Sequence, residues 1–248
     1  MIKEQTPKNI DKDLKIKILG IIPARGGSKG IPGKNIIEVA GQPLIAYTIN
    51  SALKSCYLDK VVVSSDDDKI LNISVRYGAQ SIKRPARLAK DNSKFEDLIF
   101  HVLNWLKKKE KYSPDVLVYL QPTSPLRGVD DIDGAIQKLL ENKAGSVISV
   151  QEVDHEYLKT FVLDRKGYLT GAVNDTYPFK NRQDLPAIYL PNGAVYVVVR
   201  TEFEKSKSLF TKKTRPFIMP KERSLDINTR EDLLKVESFL HSQTSRLN

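Results

Sequence analysis

Apolar residues along this chain fall into short runs that alternate with longer amphipathic stretches. The runs that predict buried strands lie at 16–22, 60–65, 79–83 and 115–120. The stretches with apolar residues at helical spacing lie at 43–53, 70–78, 95–108 and 129–140. Strands joined by helices predict an α/β fold in three layers, α/β/α, with a mainly parallel sheet. Ligands of such sheets bind beyond the carboxyl ends of the strands.

This alternation stops near residue 145. The next predicted elements are a strand at 146–150, a hairpin at 159–169 that turns near Lys166 and Gly167, and a strand at 193–199. Because the segment 150–195 is too extended and too polar for another strand–helix unit, we interpret it as a small β-rich excursion. Such an insertion is a common device for pairing subunits, so we expect it to mediate dimerisation.

The two ends of the chain differ in pattern. Residues 1–14 are polar and show no apolar period, which predicts a disordered tail before a domain at 15–248. Near the other end, a strand is predicted at 216–219 and a helix at 230–241. Thr229, with Asp232 three positions later, is a typical cap for the start of that helix.

Composition limits the protein class without naming a function. One cysteine, Cys56, among 248 residues excludes an intrachain disulfide and a cysteine-based zinc cluster. We find neither a run of about eighteen apolar residues nor a charged-then-apolar leader. The sequence therefore predicts a soluble, cytoplasmic protein without a membrane partner.

The net charge of +10 fits nucleic acid, a membrane surface or an anionic substrate. Much of the excess lies in lysine patches at 107–109, 205–207 and 212–213, which lack the interleaved aromatic residues of a nucleic-acid groove. We therefore expect no nucleic-acid partner. A non-catalytic nucleotide- or RNA-binding protein remains the alternative from a different class.

A glycine-rich, cationic loop follows the first predicted strand. Its glycines are Gly26, Gly27, Gly30 and Gly33, and its cations are Arg25, Lys29 and Lys34. Glycine lets a backbone approach a bulky group, and backbone N–H groups with cations suit a polyphosphate. Neither standard phosphate motif fits. A P-loop requires a glycine at Ser28 and a hydroxyl residue at Asn35, and a dinucleotide-binding fingerprint requires G-x-G, which this loop lacks. The alternative is an ordinary surface turn with several lysines.

The run I-P-A-R-G-G-S-K-G at 22–30, followed by Lys34 and Asn35, resembles the signature loop of the CMP-sialic acid synthetases, or acylneuraminate cytidylyltransferases. The resemblance implies a Rossmann-like nucleotidyltransferase that acts as a homodimer. It also implies Mg²⁺-dependent transfer of CMP from CTP to the anomeric hydroxyl of a nonulosonic acid, sialic acid or a close bacterial relative. The related CMP-Kdo synthetases usually carry a loop closer to R-Y-x-S-x-R-x-P-G-K, so a nucleotidyltransferase for Kdo or another sugar is the alternative enzyme.

The same resemblance assigns the nucleotide site. It implies that Lys29 and Lys34 are catalytic, offsetting charge as pyrophosphate leaves. The run R-P-A-R-L-A-K-D at 84–91 resembles the family's stretch that holds the cytosine nucleotide, although alone it also fits an unremarkable loop. The nucleotide-binding residues implied are Ala24, Arg25, Gly26, Ser28, Asn35 and Arg84.

Three further stretches are implied to bind the sugar. The run Q-P-T-S-P-L-R at 121–127 resembles the family motif without mismatch and implies roles for Gln121, Thr123 and Ser124; alternatively its prolines only fix a turn whose hydroxyls cap the next helix. Segments like the family's R-Q-x-L-P and P-N-G imply substrate-binding roles for Arg182, which can hold a carboxylate bidentately, and for Asn192. Lys159 matches a position that in the family reaches into the partner's site.

The last cluster is S-L-D-I-N-T at 224–229, where the family pattern is D-I-D. Side chains two positions apart on an extended strand share a face, which suits Mg²⁺ binding by Asp226 and residue 228. Because this chain has Asn228, one ligand charge is missing. The resemblance also implies a catalytic role for Asp226, and the alternative is a helix start with capping residues only.

Overall fold

The computed structural model describes residues 16–28 and 30–244. The predicted tail at 1–14 and the predicted catalytic Lys29 lie outside the described residues. The strands are β1 Ile18–Pro23, β2 Glu38–Val39, β3 Gln42–Pro43, β4 Lys60–Ser65, β5 Gln80–Lys83, β6 Val116–Tyr119, β7 Ser146–Val153, β8 Phe161–Leu163, β9 Leu169–Gly171, β10 Ile188–Val199 and β11 Thr214–Ile218. The α-helices are α1 Leu44–Leu53, α2 Asp68–Arg76, α3 Phe95–Glu110, α4 Val129–Glu141, α5 Arg200–Ser206 and α6 Arg230–Thr244.

Seven strands form the central sheet, in the order β11-β7-β10-β6-β1-β4-β5. Strand β10 runs antiparallel to both of its neighbours, β6 and β7. The remaining pairs, β1 with β4, β1 with β6, β4 with β5 and β7 with β11, are parallel. The predicted mainly parallel sheet is therefore confirmed, with one reversed strand near its middle.

Apolar clusters cover both faces of this sheet. On one face, side chains of α1, α2 and α4, such as Ile49, Ile70 and Ile136, pack against the strands. On the other face, α3 and α5 contribute Ile99 and Phe203. This confirms the three-layer α/β/α architecture, because each helix directs its apolar positions to the sheet and its charged positions outward.

The excursion is narrower than predicted. Strand β7 extends to Val153 and β10 begins at Ile188, and the two pair over this added length, so both belong to the central sheet. The inserted segment is therefore 154–187 rather than 150–195. It contains the antiparallel hairpin of β8 and β9, with Gly167 at φ +86 in its predicted turn.

Much of the excursion's apolar surface is exposed. The large apolar side chains that are at least 40% exposed in this segment are Tyr157, Phe161, Val162, Leu163, Tyr168, Leu169, Val173 and Phe179. A hairpin of two short strands has little to bury by itself. An apolar patch of this kind is typical of a surface that contacts another protein.

Helix α6 packs beside the glycine-rich loop. Thr229 and Asp232 form the predicted reciprocal cap, with bonds of 3.2 Å from the Asp232 N–H to Thr229 Oγ1 and of 2.8 Å from the Thr229 N–H to Asp232 Oδ2. Val236 of this helix is buried in a cluster with Ile31. This packing positions residues 226–228 beside the glycine-rich loop. No helix in the described part of the chain is both long enough and apolar enough to cross a membrane.

Candidate active site

The glycine-rich loop is fixed at the carboxyl ends of β1 and β4. The Ala24 N–H donates to the Ser64 carbonyl at 3.0 Å, continuing the strand pairing, and Ala24 is fully buried. The Gly26 N–H donates to Asp66 Oδ1 at 3.1 Å. Asn35 Nδ2 returns to the Arg25 carbonyl at 2.9 Å and closes the loop. These hydrogen bonds fix the two ends of the loop, at 24–26 and at Asn35.

Two glycines of this loop lie where a side chain would collide with a neighbour. A Cβ on Gly26 would lie 2.8 Å from Asp67 Oδ2, and a Cβ on Gly30 would lie 2.9 Å from the carbonyl oxygen of Asn228. The Gly30 contact is with backbone, which cannot rotate away as a side chain can. Glycine at position 30 therefore lets the loop approach the Asp226 cluster closely.

A cavity of about 300 Å³ opens beside this loop. Arg25, Ser28, Lys34, Asn35 and Arg84, all predicted nucleotide-site residues, line it. Lys90 and Lys94 add two further cations, which sequence reasoning did not assign. Asp91 also lines the cavity and accepts from Arg25 Nη1 at 2.8 Å. The surplus of positive charge suits an anionic ligand such as a triphosphate.

Arg84 is the most deeply placed cation of this cavity, at 4% exposure. Its Nη2 lies 3.7 Å from Asp66 Oδ1, and its Nε has no hydrogen-bond partner among the described residues. Burial lowers the pKa of its guanidinium, and Asp66 opposes that shift. Phe95 and Tyr119, which also line the cavity, supply an apolar wall for a ring. A buried donor without a partner beside such a wall suits recognition of a base or ribose.

The predicted sugar loop at 121–127 is held by Arg127, which sequence reasoning did not single out. Its guanidinium is 1% exposed and donates through Nη1 to the carbonyls of Gln121 at 3.1 Å and Ala194 at 2.8 Å. Buried Ser124 donates to the Asn192 carbonyl at 3.3 Å. Arg127 and Ser124 therefore support the loop, while Gln121 and Thr123 line the cavity beside the glycine-rich loop.

The main chain of Ile227 connects the three clusters. Its N–H donates to the Thr123 carbonyl at 2.8 Å, and its carbonyl accepts from Lys34 Nζ at 2.8 Å. Burial lowers the pKa of the Lys34 ammonium, and the nearby Asp226 carboxylate opposes that shift. The glycine-rich loop, the 121–127 loop and the 224–229 cluster are thus neighbours in the fold.

Asp226 has one carboxylate oxygen engaged and one without a partner. Asn228 Nδ2 donates to its Oδ2 at 2.9 Å, whereas its Oδ1 is buried and makes no hydrogen bond to the described residues. A buried carboxylate oxygen without a donor is a suitable ligand for a hard cation. The described residues contain no group of three or more His, Cys, Asp or Glu side chains that could hold a metal ion. A cation here would need ligands from substrate or water besides Asp226.

A second cavity of about 430 Å³ meets the first at Gln121, which lines both. Asp226 and Asn228 line the second cavity. Gln151, Tyr196 and Lys221 line it too, and sequence reasoning did not identify them. They come from β7, β10 and the turn after β11, so only the folded sheet brings them together.

Predicted substrate residue Asn192 lines this second cavity but is 3% exposed. Its Oδ1 accepts from Ser149 Oγ at 2.6 Å and from the Ala194 N–H at 3.2 Å, and its Nδ2 donates to Ser224 Oγ at 2.9 Å. The amide therefore fixes β10 to its neighbours beneath the cavity. Its direct contact with a sugar stays a prediction.

The other two predicted substrate residues, Arg182 and Lys159, lie on the excursion and line neither cavity. Arg182 forms an ion pair with Asp154 at 3.2 Å and is mostly exposed. Its side chain is available at the surface. Within one chain, the structure does not bring these two residues to the predicted site.

Comparisons with known proteins show what the chain as a whole is similar to. A sequence profile described as cytidylyltransferase matches residues 19–236. An N-acylneuraminate cytidylyltransferase of Streptococcus agalactiae is 35% identical over 228 residues, which make up 91% of this chain and 54% of that protein. A pseudaminic acid cytidylyltransferase of Campylobacter jejuni is 32% identical over 220 residues, 88% of this chain and 94% of its own length. The chain thus spans about half the length of the first of these relatives.

A solved structure supports the architecture. A CMP:2-keto-3-deoxy-manno-octonic acid synthetase in complex with CTP aligns over 92% of this chain and 99% of its own, with a TM-score of 0.69. Because the two sequences are 17% identical, the likeness concerns the fold alone.

Proposed function

We propose, from the premise that this chain belongs to the cytidylyltransferase family, that it transfers CMP from CTP to the anomeric hydroxyl of a nonulosonic acid and releases pyrophosphate. The membership confirms the family expected from the loop at 22–30. The substrate is proposed from relatives that are named for N-acylneuraminate and pseudaminic acid. CMP-Kdo synthetase remains the more distant alternative, since that likeness is one of fold.

One observation carries the proposal: the cationic cavity and the second cavity meet at Gln121, with Lys34 and Asp226 beside the junction. A nucleotidyltransferase needs two adjoining pockets, one for the triphosphate and one for the acceptor hydroxyl. Holding two reactants in line supplies much of such a reaction's acceleration. We assign the nucleotide to the first cavity and the sugar to the second.

In the reaction proposed, the anomeric oxygen attacks the α-phosphorus of CTP. The bond from that phosphorus to the pyrophosphate oxygen breaks, and the hydroxyl proton is released to water. Lys34 places a cation beside the phosphates, where charge builds up on the leaving group. Arg84 holds the base or ribose, and Gln121 orients the sugar between the two cavities.

Mg²⁺ dependence is part of the proposal. The partnerless Oδ1 of Asp226 is the protein ligand that fits such an ion, and Asn228 holds the other carboxylate oxygen. Mg²⁺ usually binds through one or two carboxylates together with substrate phosphates and water. When bound, it would offset negative charge on the triphosphate.

We also propose a homodimer formed through the excursion at 154–187. The exposed apolar side chains of β8 and β9 support it, because they belong to none of the three buried apolar clusters of the described chain. The location of Arg182 and Lys159 supports it as well, since a second copy could carry them to the sugar cavity of its partner. Arg182 would then bind the acid bidentately.

The proposed location is the cytoplasm, where CTP is available.

Pyrophosphate release tests the function. It is measured with each of the four NTPs, with and without Mg²⁺, and with N-acetylneuraminic acid, pseudaminic acid or Kdo as the acceptor. We expect release only with CTP, Mg²⁺ and a nonulosonic acid. Preference for Kdo would favour the alternative enzyme, and salt-sensitive binding of polynucleotide without release would favour a nucleic-acid-binding protein.

A further inference from the structure

The second cavity contains a cation that no motif assigned. Among the described residues that line it, Asp226 carries the negative charge and Lys221 the positive charge. Lys221 forms no hydrogen bond or ion pair through its side chain with another described residue. An acid sugar entering this cavity meets Lys221 as its available counter-charge.

The turn that carries Lys221 is fixed on both sides. Before it, the Met219 N–H donates to the Val150 carbonyl at 2.8 Å. After it, Arg223 binds buried Asp131 through Nε at 3.1 Å and Nη2 at 2.8 Å. Ser224 Oγ donates to the Pro220 carbonyl at 2.8 Å across the turn. The backbone of Lys221 is therefore held in place while its side chain stays free, an arrangement that reduces the ordering cost of binding.

The remaining polar lining suits a polyhydroxylated acid. The side chains of Gln121 and Gln151 make no hydrogen bond to another described residue, so both can pair with hydroxyl or acyl groups. Tyr196 also lines the cavity, and its phenol can donate to such groups. Among the described side chains that line this cavity, Lys221 is the cation that can pair with the carboxylate of the acid.

We propose that Lys221 binds the carboxylate of the nonulosonic acid and thereby selects acid sugars over neutral ones. This rests on the proposed function and deepens it. It adds to the expected role of Arg182, which lines neither cavity of its own chain and would reach the acid from a second copy. Lys221 contacts the acid from within the same subunit.

The test compares an acid with its C1-amide, which keeps the hydroxyls and loses the charge. The variants are Lys221→Met, Lys221→Arg and, as a matched control, Lys212→Met, an exposed lysine that lines neither cavity. Wild type should bind the acid about tenfold to hundredfold more tightly than the amide, the range for a hydrogen bond to a charged group. Lys221→Met should lose that preference and raise the KM for the acid by the same factor, with the KM for CTP within about twofold.

Lys221→Arg should retain part of the preference for the acid over the amide, and Lys212→Met should retain all of it. Binding is measured by calorimetry with N-acetylneuraminic and pseudaminic acids, and turnover by pyrophosphate release, so that the two readouts are independent. A Lys221→Met protein that still prefers the acid overturns the proposal. This includes the case in which Arg182→Ala loses the preference and Lys221→Met keeps it. If wild type binds an acid sugar without releasing pyrophosphate, the proposed function fails and the binding data still decide the role of Lys221. Wild type that binds neither acid overturns both.

Discussion

The ammonium of Lys34 donates a 2.8 Å hydrogen bond to the main-chain carbonyl of Ile227, although the two residues lie 193 positions apart. The same peptide segment presents Asp226 to the second cavity. A cation that lines the proposed triphosphate cavity therefore also holds the acidic cluster in position. In the proposed reaction, one side chain supplies both charge and positioning.

We predict that Lys34→Met lowers kcat/KM by about a hundredfold or more, because a charge that stabilises the phosphates is lost from a partly dry site. The loss of one hydrogen bond costs about 1 kcal/mol, and removal of a half-buried charge offsets part of that, so the melting temperature should change little. Pyrophosphate release and thermal unfolding measure the two effects. On sequence grounds, Lys29→Ala should cost a similar factor. Near-normal turnover in both variants would contradict a phosphate-binding loop.

The pH dependence of kcat/KM should reflect the loss of the proton from the Lys34 ammonium. Burial lowers the pKa of this ammonium, so in the free enzyme the required cation is lost, as pH rises, earlier than an ordinary lysine would lose it. We expect kcat/KM to fall on the alkaline side for this reason. Lys34→Arg, with whatever activity it retains, should move that fall to higher pH, because guanidinium keeps its proton. If the alkaline fall in kcat/KM occurs at the same pH in Lys34→Arg, a group other than Lys34 causes it.

Gly30→Ala should be far more harmful than Gly27→Ala. A Cβ at position 30 would lie 2.9 Å from the Asn228 carbonyl, whereas a Cβ at position 27 would have no described atom beyond its chain neighbours within 4 Å. The first change should push the loop away from the 226–228 segment and lower kcat/KM by about tenfold to hundredfold, since small misplacements in an active site are costly. Steady-state kinetics measures kcat/KM for the two variants. Equal losses of kcat/KM would show that the loop needs glycine for flexibility and not for close approach to residue 228.

The dimer prediction depends on the excursion at 154–187. Phe179 is 83% exposed and packs edge-on against Phe161, with ring centroids 6.3 Å apart. Phe179→Glu should weaken dimerisation by about thirtyfold or more, the effect of losing about 2 kcal/mol at an interface. Val75→Glu, at a 60% exposed position on α2, is the matched control. Sedimentation across a concentration series measures both, and a wild type that is monomeric and fully active would remove the basis for the interface.

Local pattern predicted the fold more completely than the site. Apolar spacing located β4 and α1 almost to the residue, because each is fixed by its own sequence and by burial. It did not reveal the two-residue strands β2 and β3 or the short helix α5, which are too short to show a period. It also left β10 too short, because its first half depends on pairing with β7.

Motifs located residues that line the proposed nucleotide cavity, since those lie in continuous loops. They did not reveal that Arg127 and Asn192 are buried supports, because burial follows from contacts with residues 67 and 43 positions away. Lys221, Gln151 and Tyr196 carry no motif. They are neighbours only because β7, β10 and the chain after β11 converge at one sheet edge.

The Asp226–Asn228 pair sets the last prediction. Only the amide nitrogen of Asn228 can donate to the Asp226 carboxylate, so in this arrangement Asn228 orients Asp226 and offers one carboxylate oxygen, Oδ1, to a cation. One charged ligand should bind free Mg²⁺ weakly, and binding should tighten with CTP, whose phosphates supply further oxygens. We expect Asp226→Asn to lose most activity. Asn228→Asp should lower the Mg²⁺ concentration for half-maximal rate, because two adjacent carboxylates repel until a cation lies between them.

Three measurements test this pair: initial rate against Mg²⁺ concentration, calorimetric Mg²⁺ binding with and without a non-hydrolysable CTP analogue, and the same titrations for Asn228→Ala. Asn228→Ala frees the second oxygen of Asp226 without adding charge, so it separates orientation from charge. If orientation matters, Asn228→Ala should lower kcat while Mg²⁺ binding changes by less than in Asn228→Asp. If Asp226→Asn leaves both the rate and the metal requirement unchanged, the cluster only starts helix α6, and the ion must bind elsewhere. The calorimetric result distinguishes these cases even in a variant too slow to assay, because it reports the ion and not the reaction.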